Sequence, residues 1–185
     1  MTVKTKEPLK KKKKQHKGIE IRKLEEKDMA RVAPMFEDFQ DFLASIDTLK
    51  RLKRKNILID ADYGYVYLRD TLKKIVKQNG VFYVAEHKGK IVGFVVGLIT
   101  ELNKTEKIEV GNKKIGEVAE LYIEKLYWGT GLAKKLMTRI EKYFRDKGCT
   151  DSILDVFEPN IRAREFYKRK VGYVDRRISM LKELK

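Results

Sequence analysis

The chain has 185 residues, 42% hydrophobic and 10% aromatic, enough to bury one core and too apolar for an intrinsically disordered chain. Its 43 Lys and Arg against 27 Asp and Glu give a formal charge of +16, which steers it toward polyanions. The longest apolar run, residues 91–99, is interrupted by two glycines and falls well short of the roughly 20 residues that a membrane-spanning helix needs. Cys149 is the only cysteine, and the N-terminal lysines precede no apolar stretch; a reducing, cytoplasmic setting is therefore expected.

Residues 1–17 hold eight lysines, Lys10 to Lys14 among them, and one acid, Glu7. Such a like-charge block stays solvated, so a flexible lysine-rich arm is expected, with residues 18–185 forming one domain. The arm is either a solubilising tail or a contact for RNA or another acidic partner through counterion release. From Ile19 to Leu24 apolar and charged residues alternate, the period of a half-buried strand. Met29, Val32, Ala33, Phe36, Phe39, Phe42 and Leu43 then form one helical stripe. Pro34 inside it predicts a kink or a break. A second helix is predicted on the spacing of Tyr67, Leu68, Leu72, Ile75 and Val76, stopped by Asn79-Gly80.

The runs 81–87 and 90–100 are rich in β-branched and aromatic residues and meet at Lys88-Gly89, which predicts a hairpin. The polar stretch 101–114 reads as a long turn, and Ile115 to Ile123 as a strand. A helix over 131–148 turns Leu132, Leu136, Met137, Ile140, Tyr143 and Phe144 inward and ends at Gly148. The last third reads strand over 152–157, helix over 161–170 and strand over 173–181. The order β, α, α, β, β, β, α, β, α, β gives a mixed sheet with helices on both faces, an α/β architecture of three layers.

The passage from Glu120 to Leu136 carries the chemistry. An apolar strand leads through Trp128-Gly129-Thr130-Gly131 into a helix, so unpaired helix N-terminal amides point at one place, suited to an anion. A P-loop needs Lys and then Ser or Thr after its second motif glycine, and Leu132-Ala133 stand there. The dinucleotide fingerprint needs a third glycine, where Lys134 stands. Neither fits.

That turn and helix, followed by Ile153 to Asn160 and then by Ala163-Arg164-Glu165-Phe166-Tyr167 with Gly172-Tyr173 downstream, resemble the GNAT superfamily of acetyl-CoA-dependent N-acetyltransferases. The resemblance covers residues 19–182. It implies a mixed, mostly antiparallel central sheet and an amide cradle for the CoA pyrophosphate at Trp128, Gly129, Thr130, Gly131, Leu132 and Ala133. Gly131 and Ala133 match the small motif positions, whereas Trp128 stands where the family carries Gln or Arg. The strand before the turn, at Leu121, Tyr122 and Ile123, is expected to splay from its neighbour and offer main-chain groups to the pantetheine arm. Asn160 matches a residue contacting that arm, although an N-cap after Pro159 would account for it equally well.

Attack of a neutral amine on a thioester calls for a base and an acid. Tyr167 matches the family's usual acid. Two carboxylates are candidates for the base: Asp155, on the strand before Asn160, and Glu120, at the start of the strand leading to the turn. A strand amide between Leu121 and Ile123 is expected to meet the oxyanion. The acceptor site is expected within residues 36–67, which include Phe36, Phe39, Phe42, Asp47, Asp60, Asp62, Tyr63, Tyr65 and Tyr67. Cys149 has no activating histidine near it in sequence, so an acyl-enzyme is not expected. No His, Cys or acid cluster has metal-ligand spacing, and His16 and His87 carry no motif. The resemblance admits a homodimer. The competing reading is a catalytically weak CoA-binding or RNA- or ribosome-associated module on the same fold.

Overall fold

The computed structural model describes residues 18–48 and 63–182. The predicted arm and Asp60 to Asp62 lie outside these residues. The elements are β1 (Ile19–Lys23), α1 (Met29–Ile46), α2 (Tyr63–Lys77), β2 (Val81–His87), β3 (Lys90–Glu101), α3 (Lys104–Val110), β4 (Lys114–Ile123), α4 (Leu132–Asp146), β5 (Asp151–Ile153) and α5 (Ile161–Phe166). Short 3-10 turns precede α1 and follow β4, and a π turn over Tyr167–Val171 extends α5.

The five strands lie in the order β1-β2-β3-β4-β5, antiparallel except for the parallel β4–β5 pair. This is the mixed, mostly antiparallel sheet expected from the sequence. The β2–β3 hairpin turns at Lys88 and Gly89, both with positive φ (53° and 76°), the geometry whose twist matches that of paired strands. One sheet face packs Phe82, Phe94 and Val96 against Val32, Phe36 and Leu68 of α1 and α2. The other packs Tyr83, Val95 and Val118 against Leu136, Met137, Ile140 and Phe144 of α4. Each such side chain buried whole contributes roughly 1.5–3 kcal/mol. Gly116 lets α4 approach, because a Cβ there would stand 2.3 Å from the Phe144 ring.

Arg22 on β1 binds both carboxylate oxygens of Asp28, at 2.6 and 2.8 Å, and Glu86 of β2 at 2.7 Å. Asp28 also accepts the Glu25 N–H at 2.9 Å, so one guanidinium fixes the entry to α1 against the sheet.

Three expectations are corrected. Helix α1 runs through Pro34 without the break offered as one alternative there; the proline removes one main-chain hydrogen bond, and buried Val32, Ala33, Met35 and Phe36 hold the segment packed. Residues 104–110 of the supposed turn are helical. Asn103 and Glu106 form a reciprocal capping box, with bonds of 3.0 and 2.8 Å, which satisfies two otherwise orphaned amides. Residues 173–181 form no strand. Asp175 is drawn to Lys168 at 2.7 Å and Arg164 at 3.8 Å, both on the helical segment rather than the sheet edge. Val174, Ile178 and Met180 are left exposed.

Candidate active site

Strands β4 and β5 pair only at Ile115, Gly116 and Glu117. Immediately beyond, the β3–β4 register slips: Gly97 faces Val118 while Val96 faces Glu120, leaving Ala119 as an extra residue. A bulge of this kind bends and twists its strand. Residues 118–123 therefore run without a partner on the β5 side. The Glu124 N–H donates to the Val92 carbonyl at 3.0 Å. Because backbone groups alternate along a strand, Leu121 and Ile123 turn their main-chain groups into the gap. Those of Tyr122 face β3, and its phenol reaches Asp38 of α1 at 3.4 Å.

The bulge also sets side-chain direction. Val118, Leu121 and Ile123 pack on the α4 side, Ala119 and Tyr122 on the α1–α2 side. Glu120 shares the latter side, where its Oε1 accepts a 2.6 Å bond from the Tyr67 hydroxyl of α2. Burial pushes its carboxyl up to about 7, against the opposing pull of the Tyr67 bond and Lys74. Asp155 is exposed and has no hydrogen bond or ion pair among the described residues. The structure thus separates the two candidate carboxylates by environment.

Tyr167, at the start of the π turn, packs against Phe166 and Tyr173 with ring centroids 5.3 and 6.0 Å away. Its phenol is held above the ordinary range by burial first, then by Tyr173 and the charge of Glu120. Glu120 and Tyr167 thus lie within electrostatic reach of one another. Asn160 caps α5, its side-chain oxygen accepting the Ala163 N–H at 3.2 Å; the side-chain amide has no partner among the described residues.

At the far end of β4, Gly129 and Gly131 adopt φ of 74° and 87°, with nothing within 4 Å of where a Cβ would stand. The first main-chain bond of α4 is Lys135 N–H to the Gly131 carbonyl, at 3.2 Å. The Ala133 and Lys134 amides are consequently unpaired and open outward. Thr130 ties the loop down by donating its hydroxyl to the Tyr127 carbonyl, and Tyr127 is held in turn by His87 Nδ1 at 2.8 Å. These free amides and glycines fit the diphosphate of CoA. The Trp128 indole N–H donates to the Ile123 carbonyl at 2.7 Å, and the Arg162 guanidinium lies 4.0 Å from the centroid of its ring. A groove of about 580 Å3 adjoins this loop on the β1 side of α4, lined by Ile19, Ile21, Gly131, Lys134, Lys135 and Arg139 among others.

Of the predicted acceptor residues, Phe36 is fully buried core, Phe39 packs on Tyr122, and Tyr67 is bound to Glu120. Sequence reasoning missed the pairing of Tyr67 with Glu120, the stacking of Arg162 and the anchoring role of His87. Only Arg162 left a trace, as a cation two residues after the matched asparagine.

Residues 44–173 match the acetyltransferase (GNAT) family. The chain belongs to that family. An uncharacterized N-acetyltransferase from Methanocaldococcus jannaschii is 34% identical over 52% of this GNAT chain and 54% of its own length. One from Archaeoglobus fulgidus is 34% identical over 57% of this chain and 71% of its own. The chain thus spans about half the length of the first relative. Among solved structures, a Trypanosoma brucei acetyltransferase superposes with a TM-score of 0.63 at 23% identity, covering 90% of this chain and 99% of that one. A ribosomal-protein-alanine N-acetyltransferase from Brucella melitensis gives 0.62 at 19%, with the same coverage. At these identities the structural likeness establishes the fold. No described helix is long and apolar enough to cross a membrane, and no metal-binding cluster occurs among the described residues.

Proposed function

We propose that this GNAT chain is an acetyl-CoA-dependent N-acetyltransferase acting on a primary amine: a protein N-terminus, a lysine or a small molecule. The observation that carries the proposal is Glu120, a half-buried residue whose carboxyl is pushed up to about 7 by desolvation, beside the opening left by β4 and β5 and within electrostatic range of Tyr167. The amides of Ala133 and Lys134, framed by Gly129, Thr130, Gly131 and Leu132, hold the diphosphate. Leu121, Ile123 and Asn160 line the path of the pantetheine arm. When bound, acetyl-CoA supplies an acyl group activated as a thioester.

Glu120 accepts the proton that an ammonium must lose before its nitrogen can attack, directly or through a water. As the C–N bond forms and the C–S bond breaks, main-chain N–H groups of Leu121 or Ile123 meet the oxyanion. Tyr167, kept protonated by its surroundings, donates its proton to the departing sulfur. The reading places the protein in the cytoplasm, with an RNA or acidic partner served by the arm and a homodimer permitted.

Incubation with acetyl-CoA and a panel of N-terminal peptides, lysine peptides and small amines, read by thiol release and product mass, tests the proposal. Acetylated product with stoichiometric thiol is the expected result; acetyl-CoA binding without turnover on any amine would favour the CoA-binding module instead.

A further inference from the structure

Position 128 raises a question of charge. The family motif carries Gln or Arg there, and an indole stands in its place. The indole N–H is spent on the Ile123 carbonyl, so the ring offers no donor to an anion at the adjacent amides. What it offers is a face. Arg162, in the first turn of α5, lays its guanidinium over that face at 4.0 Å. Arg162 is exposed and makes no ion pair among the described residues.

This contact joins the loop before α4 to the start of α5. A guanidinium lying on an aromatic ring uses its own face for that contact. Its N–H donors lie in the guanidinium plane and remain free. The ring also removes much of the rotamer freedom that a long exposed side chain would otherwise lose on binding. Indole is the best aromatic partner for such a cation.

We propose that Arg162, parked on Trp128, is the cation that receives the diphosphate of CoA, restoring from α5 the side-chain contact that position 128 no longer makes. The assignment rests on the reading that this chain binds CoA. It goes beyond that reading by naming a residue outside the amide cradle and the ring that orients it.

The test uses Trp128 as its own reporter, since it is the only tryptophan in the chain. The full-length protein is titrated with CoA and with 3′-dephospho-CoA, following tryptophan emission and, in parallel, heat. In the wild type both ligands bind and perturb the emission. Arg162→Gln, at an exposed site, keeps its melting temperature and loses about tenfold in affinity for both ligands, the scale of one charge-assisted contact. Trp128→Leu, read by heat, loses affinity similarly, and the double variant loses no more than either alone, because ring and cation act as a unit.

Equal CoA affinity in wild type and Arg162→Gln would overturn the assignment while leaving CoA binding intact. A loss confined to CoA, with 3′-dephospho-CoA unaffected, would move Arg162 to the 3′-phosphate and overturn it too. Absence of binding to the wild type would remove the CoA reading and the assignment with it.

Discussion

The Tyr67 hydroxyl donates to Glu120 Oε1 over 2.6 Å, joining α2 to the bulged part of β4. The bond stabilises the ionised carboxylate, while burial works against it and prevails, leaving the group at about 7. Turnover at subsaturating amine should therefore rise with pH through about 7. Tyr67→Phe removes the stabilising bond and should shift that limb to higher pH, with activity recovered in alkali. Glu120→Gln should lower kcat about 10²–10⁴-fold, the contribution of a positioned base, and abolish the limb; a limb surviving in that variant would transfer the role elsewhere.

The same carboxyl burdens the fold. A carboxyl whose folded pKa is raised from 4.5 to about 7 favours the folded state least once it ionises, so its cost grows as pH rises across that window. Glu120→Gln should be more stable than wild type at pH 8, by about 1–2 kcal/mol, and should lose the advantage near pH 4. Denaturant melts at the two pH values measure the difference.

Tyr167→Phe retains the ring packing against Phe166 and Tyr173 and removes only the proton. Turnover should fall about a hundredfold, with CoA affinity within twofold of wild type by calorimetry. Because the phenol sits above its ordinary range, wild-type activity should show no decline as pH rises to about 10.

Arg22 holds the Asp28 carboxyl below its ordinary range, chiefly through their hydrogen bond. Stability from this pair is fully present above the unfolded carboxyl's pKa, about 4, and is lost as pH falls through the depressed folded value. Asp28→Asn removes the carboxylate that Arg22 binds through both oxygens, leaving it Glu86 and the Lys23 carbonyl, and should cost about 3 kcal/mol at pH 7. Its stability should also fall less steeply in acid than that of wild type.

Gly116→Ala places a methyl against the Phe144 ring. Overpacking should cost about 1–3 kcal/mol, visible as a lower melting temperature. It should also weaken CoA binding, because α4 carries the free amides at its other end.

Deleting residues 1–17 removes seven net positive charges. If the arm contacts RNA, the truncated protein should bind RNA more weakly and with a shallower dependence on salt; an unchanged slope would assign the arm to solubility.

Where chemistry is local, the sequence was informative. Lys88-Gly89 encodes its turn in two residues, and the two glycines before α4 announce the tight turn into that helix because few other residues accept their backbone angles. The choice between Glu120 and Asp155 was not legible, since it depends on what covers each carboxylate. Tyr67 lies 53 residues before Glu120, and no local pattern connects them. Asn103 and Glu106 did carry a helix signal, hidden by the polarity of their surroundings. The C-terminal segment has strand-like composition, but a ladder needs an accessible partner, and Asp175 is held by the neighbouring helix.

Ala119 contributes no charge and no hydrogen-bonding side chain, and the opening starts beside it. Were that one residue deleted, Val118 and Glu120 would alternate as in a regular strand, and β4 could straighten and zip onto the stretch after β5. Substitution at 119 would leave the count intact. Strand length, more than the identity of residue 119, keeps the crevice open, so this one position should tolerate replacement and reject deletion.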